Sequence, residues 1–386
     1  MIRVGIMVNL SERWMGGVNY FANLVQAIQA LDNRRIDPVI FVPSRTDAKL
    51  LAGFQSVEII QTSLLDGTNK MRHIQTLTEG LLGRNYPMER LLRRARIDLL
   101  SHSRPFGSRS PVPTISWIAD FQHRHLPEFF SSSQIKRRNR YDEYVCRSCS
   151  TLLLSSFNAQ DDLFQFFPGA AKKSRVLQFV SLLHNKNWQE AESSYFKNRY
   201  KANDGYFHLP NQFWESKNHR VVIDALALLK ARGVNFTVLA TGNTQSANNP
   251  SHFVSLMRRA KEAGVEDRFR VLGLVPLEDL AGLMRGAIAL INPSLFEGWS
   301  TTVEEAKSLG KTLILSDIPV HREQAPRHGI YFSPNDAEDL ASAMVRVSDA
   351  FSETQEKNRR EEAWRALGGR IQAFARRYEE IVLETR

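Results

Sequence analysis

Cysteine is nearly absent: Cys146 and Cys149 are the only two in 386 residues. So few exclude a disulfide-stapled scaffold and point to a reducing compartment, the cytoplasm. Their C-x-x-C spacing closes an expected helix and precedes a strand, whereas a redox motif opens a helix just after one. Small buried residues are the reading that results. Long apolar runs are missing too, since none approaches the ~18–20 residues that cross a bilayer. The apolar stretch within Met1–Trp14 is too short for a signal peptide and reads as a first strand. No H-E-x-x-H, paired C-x-x-C or EF-hand spacing occurs, and the histidines are scattered, so no metal is expected. Low-complexity tracts and short repeats are lacking as well. What remains is 42% hydrophobic and 24% charged, a globular composition that excludes wholesale disorder.

At roughly 150 residues per domain the length suggests two domains, each large enough for its own core. The excess of positive charge lies in one half of the chain. Residues 1–200 hold 27 lysines and arginines against 17 acids, and the remainder holds 24 against 24. The densest parts are Arg84–Arg96 and Lys136–Arg140. A one-sided basic face suits an anionic surface, either nucleic acid or an inner membrane leaflet, or is simply solvated.

Apolar runs alternate with helical periods. Arg3–Leu10 reads as a strand, a turn containing Gly16 and Gly17 follows, and Asn19–Leu31 reads as a helix. Strands are expected at Pro38–Val42, Ile97–Ser101, Pro113–Ile118, Thr151–Ser155 and Arg175–Val180. Helices are expected at Ile135–Ser148 and Ala159–Phe167. The rhythm breaks over Leu183–Gly205, a polar stretch read as a linker. It then resumes: Tyr206–Pro210, Phe236–Thr241, Phe269–Val275, Ala287–Pro293, Thr312–Ser316 and Ile330–Phe332 as strands. Helices are expected between them at His219–Arg232, His252–Ala263, Leu277–Arg285, Thr302–Leu309 and Ala337–Asp349, and a long charged one at Glu361–Glu384. The βα repeat implies parallel sheets covered on both faces, hence α/β and two doubly wound domains, with ligands outside the carboxyl ends of the strands.

The most informative stretch is Asn292–Gly310, NPSLFEGWSTTVEEAKSLG. A strand end, a loop with Glu297, Gly298, Trp299 and Ser300, and a helix follow one another. Thr301 with Glu304 fits the capping box, which would start the helix there. Free N–H groups at such a start, backed by the helix dipole, form an anion site suited to phosphate. Gly298 allows close backbone approach. Glu297 projects from the loop and Glu305 lies one turn into the helix, two carboxylates suited to accepting hydrogen bonds from sugar hydroxyls. Glu304 reads as the cap partner, and Glu305 is equally readable as an ordinary exposed helix residue.

The E-x7-E spacing of Glu297 and Glu305, preceded by NPSLF and followed by AKSLGKTLILSDIPVHRE, resembles the signature of family 4 retaining glycosyltransferases. That family has the GT-B fold, two Rossmann-like domains facing across a cleft. Gly16-Gly17 is similar to its glycine loop near the donor diphosphate. Phe207–Ala225, FHLPNQFWESKNHRVVIDA, is similar to its G-R-x4-K-G segment, and Val271–Val275 to the strand whose end, at Gly273 and Leu274, meets the nucleotide base. The resemblance implies an acceptor-binding domain over 1–190, a nucleotide-sugar domain over 200–365, and a helix at about 366–386 crossing back to the first.

It further implies a hexosyltransferase that moves a sugar from a UDP- or GDP-sugar to a glycan or polyprenyl-diphosphate-linked acceptor in polysaccharide biosynthesis. Anomeric configuration would be retained, and no metal or other cofactor would be needed. Glu297 would hold the transferred sugar, Glu305 the ribose, and Lys217 the diphosphate. Amides of Gly16, Gly17 and Ser300–Thr302 would meet the departing charge. Two positions depart from the pattern. Asn211 stands where an arginine is usual, so that Asn211 or Gln212 can offer only neutral hydrogen bonds. Ala119 stands where an acceptor-side histidine is common, leaving Asp120 with His123 as a substitute base or a mere structural partner of that aspartate. A cytoplasmic protein resting peripherally on the inner membrane face is the expected setting. The competing readings are a GT-B nucleotide-sugar epimerase, a glycan-binding protein without turnover, and a basic nucleic-acid-binding module, though no RNP, zinc-finger or helix-turn-helix pattern supports the last.

Overall fold

The computed structural model describes residues 1–10, 15–66, 71–183, 195–196, 198–202, 205–246 and 248–386. Most of the expected linker, Leu183–Gly205, lies outside them. The chain divides into two compact units: Met1–Phe121 with Ser132–Val180 and Gly369–Arg386, and Gln122–Ser131 with Ser181–Gly368.

The first unit holds seven strands: β1 (Ile2–Met7), β2 (Ile36–Pro43), β3 (Glu58–Thr62), β4 (Leu99–Ser101), β5 (Thr114–Ile118), β6 (Thr151–Leu154) and β7 (Ser174–Val176). All pair in parallel, in the order β3-β2-β1-β4-β5-β6-β7. Strands such as IFVP in β2 and TLLL in β6 are apolar without alternation and are buried along their length, as a sheet covered on both faces requires. The second unit repeats the plan with β8 (Tyr206–Pro210), β9 (Thr237–Thr241), β10 (Phe269–Gly273), β11 (Leu290–Asn292), β12 (Leu313–Ser316) and β13 (Gly329–Phe332). Its order is β10-β9-β8-β11-β12-β13, again parallel. In each sheet the order reverses once, between β1 and β4 and between β8 and β11. These are the switch points, where loops diverge and a ligand can enter.

Several elements differ from the sequence expectation. β3, an edge strand with only Ile59 and Ile60 apolar, carries too weak a signal to be read. The helices Met71–Leu82, Tyr86–Arg94 and Pro319–Gln324 were likewise not expected. Gly16 and Gly17 lie in the first turn of the helix Met15–Gln29, not in a turn preceding it. Gln122–Ser131, placed by sequence in the first domain, packs with the second unit. The last helix runs from Glu353 to Thr385, longer than read, and Gly368 and Gly369 mark where it passes from one unit to the other.

The start of that helix is fixed by a buried cation. Lys311 Nζ donates to the Ala287 carbonyl (2.6 Å) and to Glu356 Oε2 (2.6 Å). Arg359 reaches the other Glu356 oxygen at 3.0 Å. Gly310, at φ +68°, makes the approach feasible, because a Cβ there would lie 2.5 Å from the Arg359 carbonyl oxygen. Removing one partner of a buried pair leaves the other's charge poorly compensated. Lys311→Met should therefore cost about 3 kcal/mol in urea unfolding, with the loss read as a lower midpoint at unchanged slope.

Candidate functional site

At the second switch point the carboxyl ends of β8 and β11 are tied by side chains. Asn211 Nδ2 donates to Asn292 Oδ1 at 2.9 Å, and Asn292 Nδ2 donates to Ser300 Oγ at 2.7 Å. Asn211 Oδ1 accepts from Thr302 Oγ1 at 3.2 Å. The Asn211 side chain thus bridges the two strand ends, using one of its two Nδ2 protons. Gln212 is partly committed, its Oε1 accepting from the Asn243 N–H at 2.9 Å. Gly242 lets the exit of β9 pass this bridge, since a Cβ there would meet the Asn211 carbonyl oxygen at 2.3 Å.

Ser300 is the N-cap of the helix Thr301–Leu309, its Oγ accepting from Val303 N–H, so the cap is one residue earlier than the capping-box reading placed it. Glu304 does not turn back to the cap. It is buried, accepts from Lys307 Nζ (2.9 Å) and from Gln324 Nε2 (3.1 Å), and its hydrogen-bonding partner Gln324 also brackets Ser300 through both backbone groups. The Ser300 N–H is therefore spent on Gln324 Oε1. The N–H groups of Thr301 and Thr302 have no acceptor among the described residues, and these two keep the anion-binding capacity of the helix start.

Lys217 is brought to the same place. The turn Glu215–Lys217 follows β8 and ends at Asn218, which adopts the left-handed conformation (φ 52°) and donates from Nδ2 to the Pro334 carbonyl at 2.7 Å. Asparagine tolerates that conformation better than most residues. The Leu295 N–H donates to the Ser216 carbonyl at 2.8 Å, stitching the turn to the loop after β11. The result is a largely buried ion pair, Lys217 Nζ to Glu297 Oε1 at 2.5 Å. Glu297 does not project from its loop into solvent, as its sequence position suggested. Burial alone would raise its pKa, but Lys217, His321 and hydrogen bonds from Lys217 and Ser294 outweigh that and hold the carboxyl below its ordinary value.

Glu305 is buried with no hydrogen bond of its own among the described residues, and burial pushes its carboxyl up to about 8. At neutral pH it is a protonated acid able to donate as well as accept, which suits a vicinal diol. His321 was missed by sequence reasoning. Its Nδ1 lies 2.8 Å from the Ser316 carbonyl oxygen and must carry the proton, leaving Nε2 as a buried lone-pair nitrogen without a partner among the described residues. The signal available was only its place in SDIPVHRE, among ten histidines.

The remaining candidates lie elsewhere on the two units. Trp299 and Gly298 sit in the loop between Glu297 and the cap. Gly273, at φ +70° with open space where a Cβ would be, ends β10, two strands from β8, and Leu274 beyond it is exposed. Gly16 and Gly17 open the first helix of the other unit, and Asp120 follows β5 there. His123, buried in the short helix Gln122–His125, belongs with the second unit. In the same segment the His125 ring stacks on Phe296 at 5.1 Å, beside Glu297. The first unit's own switch point carries Tyr20 and His102, with Tyr20 Oη 2.6 Å from His102 Nε2 and its ring stacked on Trp117 at 4.7 Å. Neither was singled out from the sequence.

Residues 209–350 match the family model of Glycosyl transferases group 1. Two curated relatives match parts of the chain. An O-antigen chain mannosyltransferase of Salmonella typhimurium is 23% identical over 202 residues, 52% of this chain and 52% of its own length. A GDP-mannose:cellobiosyl-diphosphopolyprenol alpha-mannosyltransferase of Komagataeibacter xylinus is 29% identical over 148 residues, 36% of this chain and 37% of its own. The chain thus spans about half or less of the length of these relatives. Among solved structures, Anabaena HepE in complex with UDP and glucose superposes over the whole of both chains with a TM-score of 0.72 at 14% identity, which shows the GT-B glycosyltransferase fold.

A raised acid binds its proton more tightly folded than unfolded, so Glu305 destabilises the fold progressively as pH climbs from about 4.5 towards 8. Glu305→Gln should therefore melt at or above the wild type, with a margin that widens over that interval in a pH series of thermal melts.

Proposed function

We propose, on the match of residues 209–350 to the group 1 glycosyl transferase model, that the whole chain is a hexosyltransferase. It moves a sugar from a nucleoside-diphosphate donor to a hydroxyl of a glycan or lipid-linked saccharide, with retention and without a metal. The observation that carries this is the Lys217–Glu297 pair at the second switch point, set beside two unclaimed helix-start N–H groups and the protonated Glu305. Mannose carried on GDP is the donor to try first, since the curated relatives reported above are mannosyltransferases by name.

In this reading the donor's diphosphate competes with Glu297 for the Lys217 ammonium and takes the Thr301 and Thr302 N–H groups. Charge then grows on the departing phosphate oxygen as the anomeric bond lengthens, and preorganised donors aimed at that oxygen lower the barrier. Glu297, freed from Lys217 but still held by Ser294, is left to accept from sugar hydroxyls. Glu305 binds the ribose diol, and the exposed end of β10 at Gly273 and Leu274 offers a place for the base. The acceptor hydroxyl attacks on the face the phosphate leaves, its proton passing to that phosphate oxygen. Asp120, Gly16 and Gly17 belong to the first unit, to which this reading assigns the acceptor.

A thermal-shift panel of GDP, UDP, ADP and their sugars tests the donor. A ligand at a hundred times its dissociation constant should stabilise the protein by about 2.7 kcal/mol. GDP and GDP-mannose are expected to shift melting, and a panel without response would remove the proposal. Lys217→Ala should lower kcat/KM for sugar transfer by about 100-fold or more, and Glu297→Ala should abolish transfer. Sugar appearing on an acceptor only when acceptor is supplied separates transfer from epimerisation of the donor alone.

A further inference from the structure

The helix Met71–Leu82 is inside out. Two of its polar side chains, Gln75 and Glu79, face the body of the first unit: Gln75 is buried and donates from Nε2 to the Leu64 carbonyl (3.3 Å). Glu79 receives both arms of Arg104, at 2.7 and 3.2 Å, and accepts from Asn85 Nδ2 at 2.6 Å. Its apolar side chains face out. Ile74, Leu77 and Leu81 recur at i, i+3 and i+7, one stripe of the helix, and are 48%, 60% and 75% exposed. A helix on a water-facing surface has the reverse arrangement, and scattered exposed leucines do not line up this way.

Cations flank the stripe. The next helix, Tyr86–Arg94, begins at the Asn85 cap and carries exposed Arg90, Arg93 and Arg94, none with an ion pair among the described residues. Arg109 is tied through its N–H to the carbonyl of Gly83, at the foot of the apolar helix (2.8 Å), and is exposed as well. The one acid in the second helix, Glu89, is buried against Arg84.

We propose that these two helices form a docking surface for an anionic lipid bilayer, the leucine stripe lying in the headgroup–acyl boundary and the arginines on lipid phosphates. An apolar stripe alone would fit any greasy partner; the unpaired arginines beside it select a negatively charged one. A second copy of this chain is disfavoured, because pairing the stripe with itself would bring two sets of like charges together. Nucleic acid would use the arginines but leave the leucines in water. The proposal goes beyond the transfer reaction and does not depend on the identity of the donor.

Sedimentation with vesicles tests it, comparing phosphatidylcholine alone with an equal mixture of phosphatidylglycerol and phosphatidylcholine. The wild type should pellet with the anionic vesicles only, and release at about 0.5 M salt, where screening shortens to a few ångströms. Leu77→Glu with Leu81→Glu should weaken binding about tenfold or more, and Arg93→Glu with Arg94→Glu should do so at low salt. Both pairs are exposed, so melting temperatures and any nucleotide-induced shift should stay as in the wild type. A lost nucleotide shift in the wild type would count against the donor reading alone. Indifference of the wild type to anionic vesicles, or undiminished pelleting of the leucine variant, would overturn the docking surface. So would a wild-type dimer in analytical ultracentrifugation that the leucine variant dissolves.

Discussion

The candidate site depends on one buried bridge. Asn211 and Asn292 join the ends of the two strands that flank the switch point, and they do so with neutral groups that can be fully desolvated once paired. Everything that carries charge is referred to this bridge. Asn292 holds Ser300 and therefore the cap of the helix that offers free N–H groups. Asn292 also meets Ser294 at 2.8 Å, and Ser294 Oγ lies 2.7 Å from Glu297. The Ser294 hydroxyl has a single proton for two acceptors, and the ionised carboxylate is the stronger of them. Ser294 thus orients Glu297 against the lysine, while a backbone bond from Leu295 to Ser216 sets the lysine's turn. An arginine at position 211 could not make the same bridge. This chain has exchanged a cation for rigidity at that point and leaves the charge to Lys217.

Local spacing made part of this legible. The strand Tyr206–Pro210 was read with the bounds observed, because a five-residue apolar run between a glycine and an Asn-Gln pair has little else to be. The helix after Ser300 was legible for the same reason, but its cap was not: Ser300, Thr301 and Thr302 can all cap, and the choice is made by Gln324, which clamps the Ser300 backbone from another element. Glu304 was misread on the same ground, as its partners are on the far side of that clamp. The spacing of Glu297 and Glu305 could be seen, whereas their burial could not, because burial is decided by what packs on top. The association of Gln122–Ser131 with the second unit, through contacts such as His125 on Phe296, is long-range and has no local signature. The helix Met71–Leu82 escaped notice since its polar face, not its apolar one, is turned inwards.

The division of charge in the sequence takes on a more specific meaning in the structure. The second unit, electrically balanced overall, keeps one of its cations, Lys217, largely buried beside the switch point. The first unit spreads its surplus over exposed helices, and at Tyr86–Arg94 the arginines stay unpaired beside an apolar stripe. A buried lysine paired at short range contributes to local chemistry, since little solvent screens it. Exposed arginines act instead through the field they project to a large anionic surface, and salt weakens that action readily. The two halves use positive charge for different ranges of interaction.

Burial pushes both Glu297 and Glu305, eight positions apart, towards the protonated form, yet the two carboxyls end up shifted in opposite directions. What separates them is company. Lys217, with His321 and Ser294, keeps Glu297 ionised, and its contribution to stability is present above the unfolded value near 4.5 and lost as pH falls through the lower folded value. Glu305 has only desolvation acting on it, and stays protonated to about 8. A pair of carboxyls split in this way supplies one hydrogen-bond acceptor with full charge, from the loop after β11, and one neutral donor-acceptor, from the helix that follows it. The proposed nucleotide-sugar donor would ask for that combination. The reacting sugar benefits from a fixed negative charge near a centre that becomes cationic, while the distant diol needs recognition without adding a second negative charge beside the diphosphate. In the proposed complex a charged Glu305 would add a second negative charge alongside that of the phosphates, so the burial that keeps it neutral is itself a part of the proposed binding chemistry.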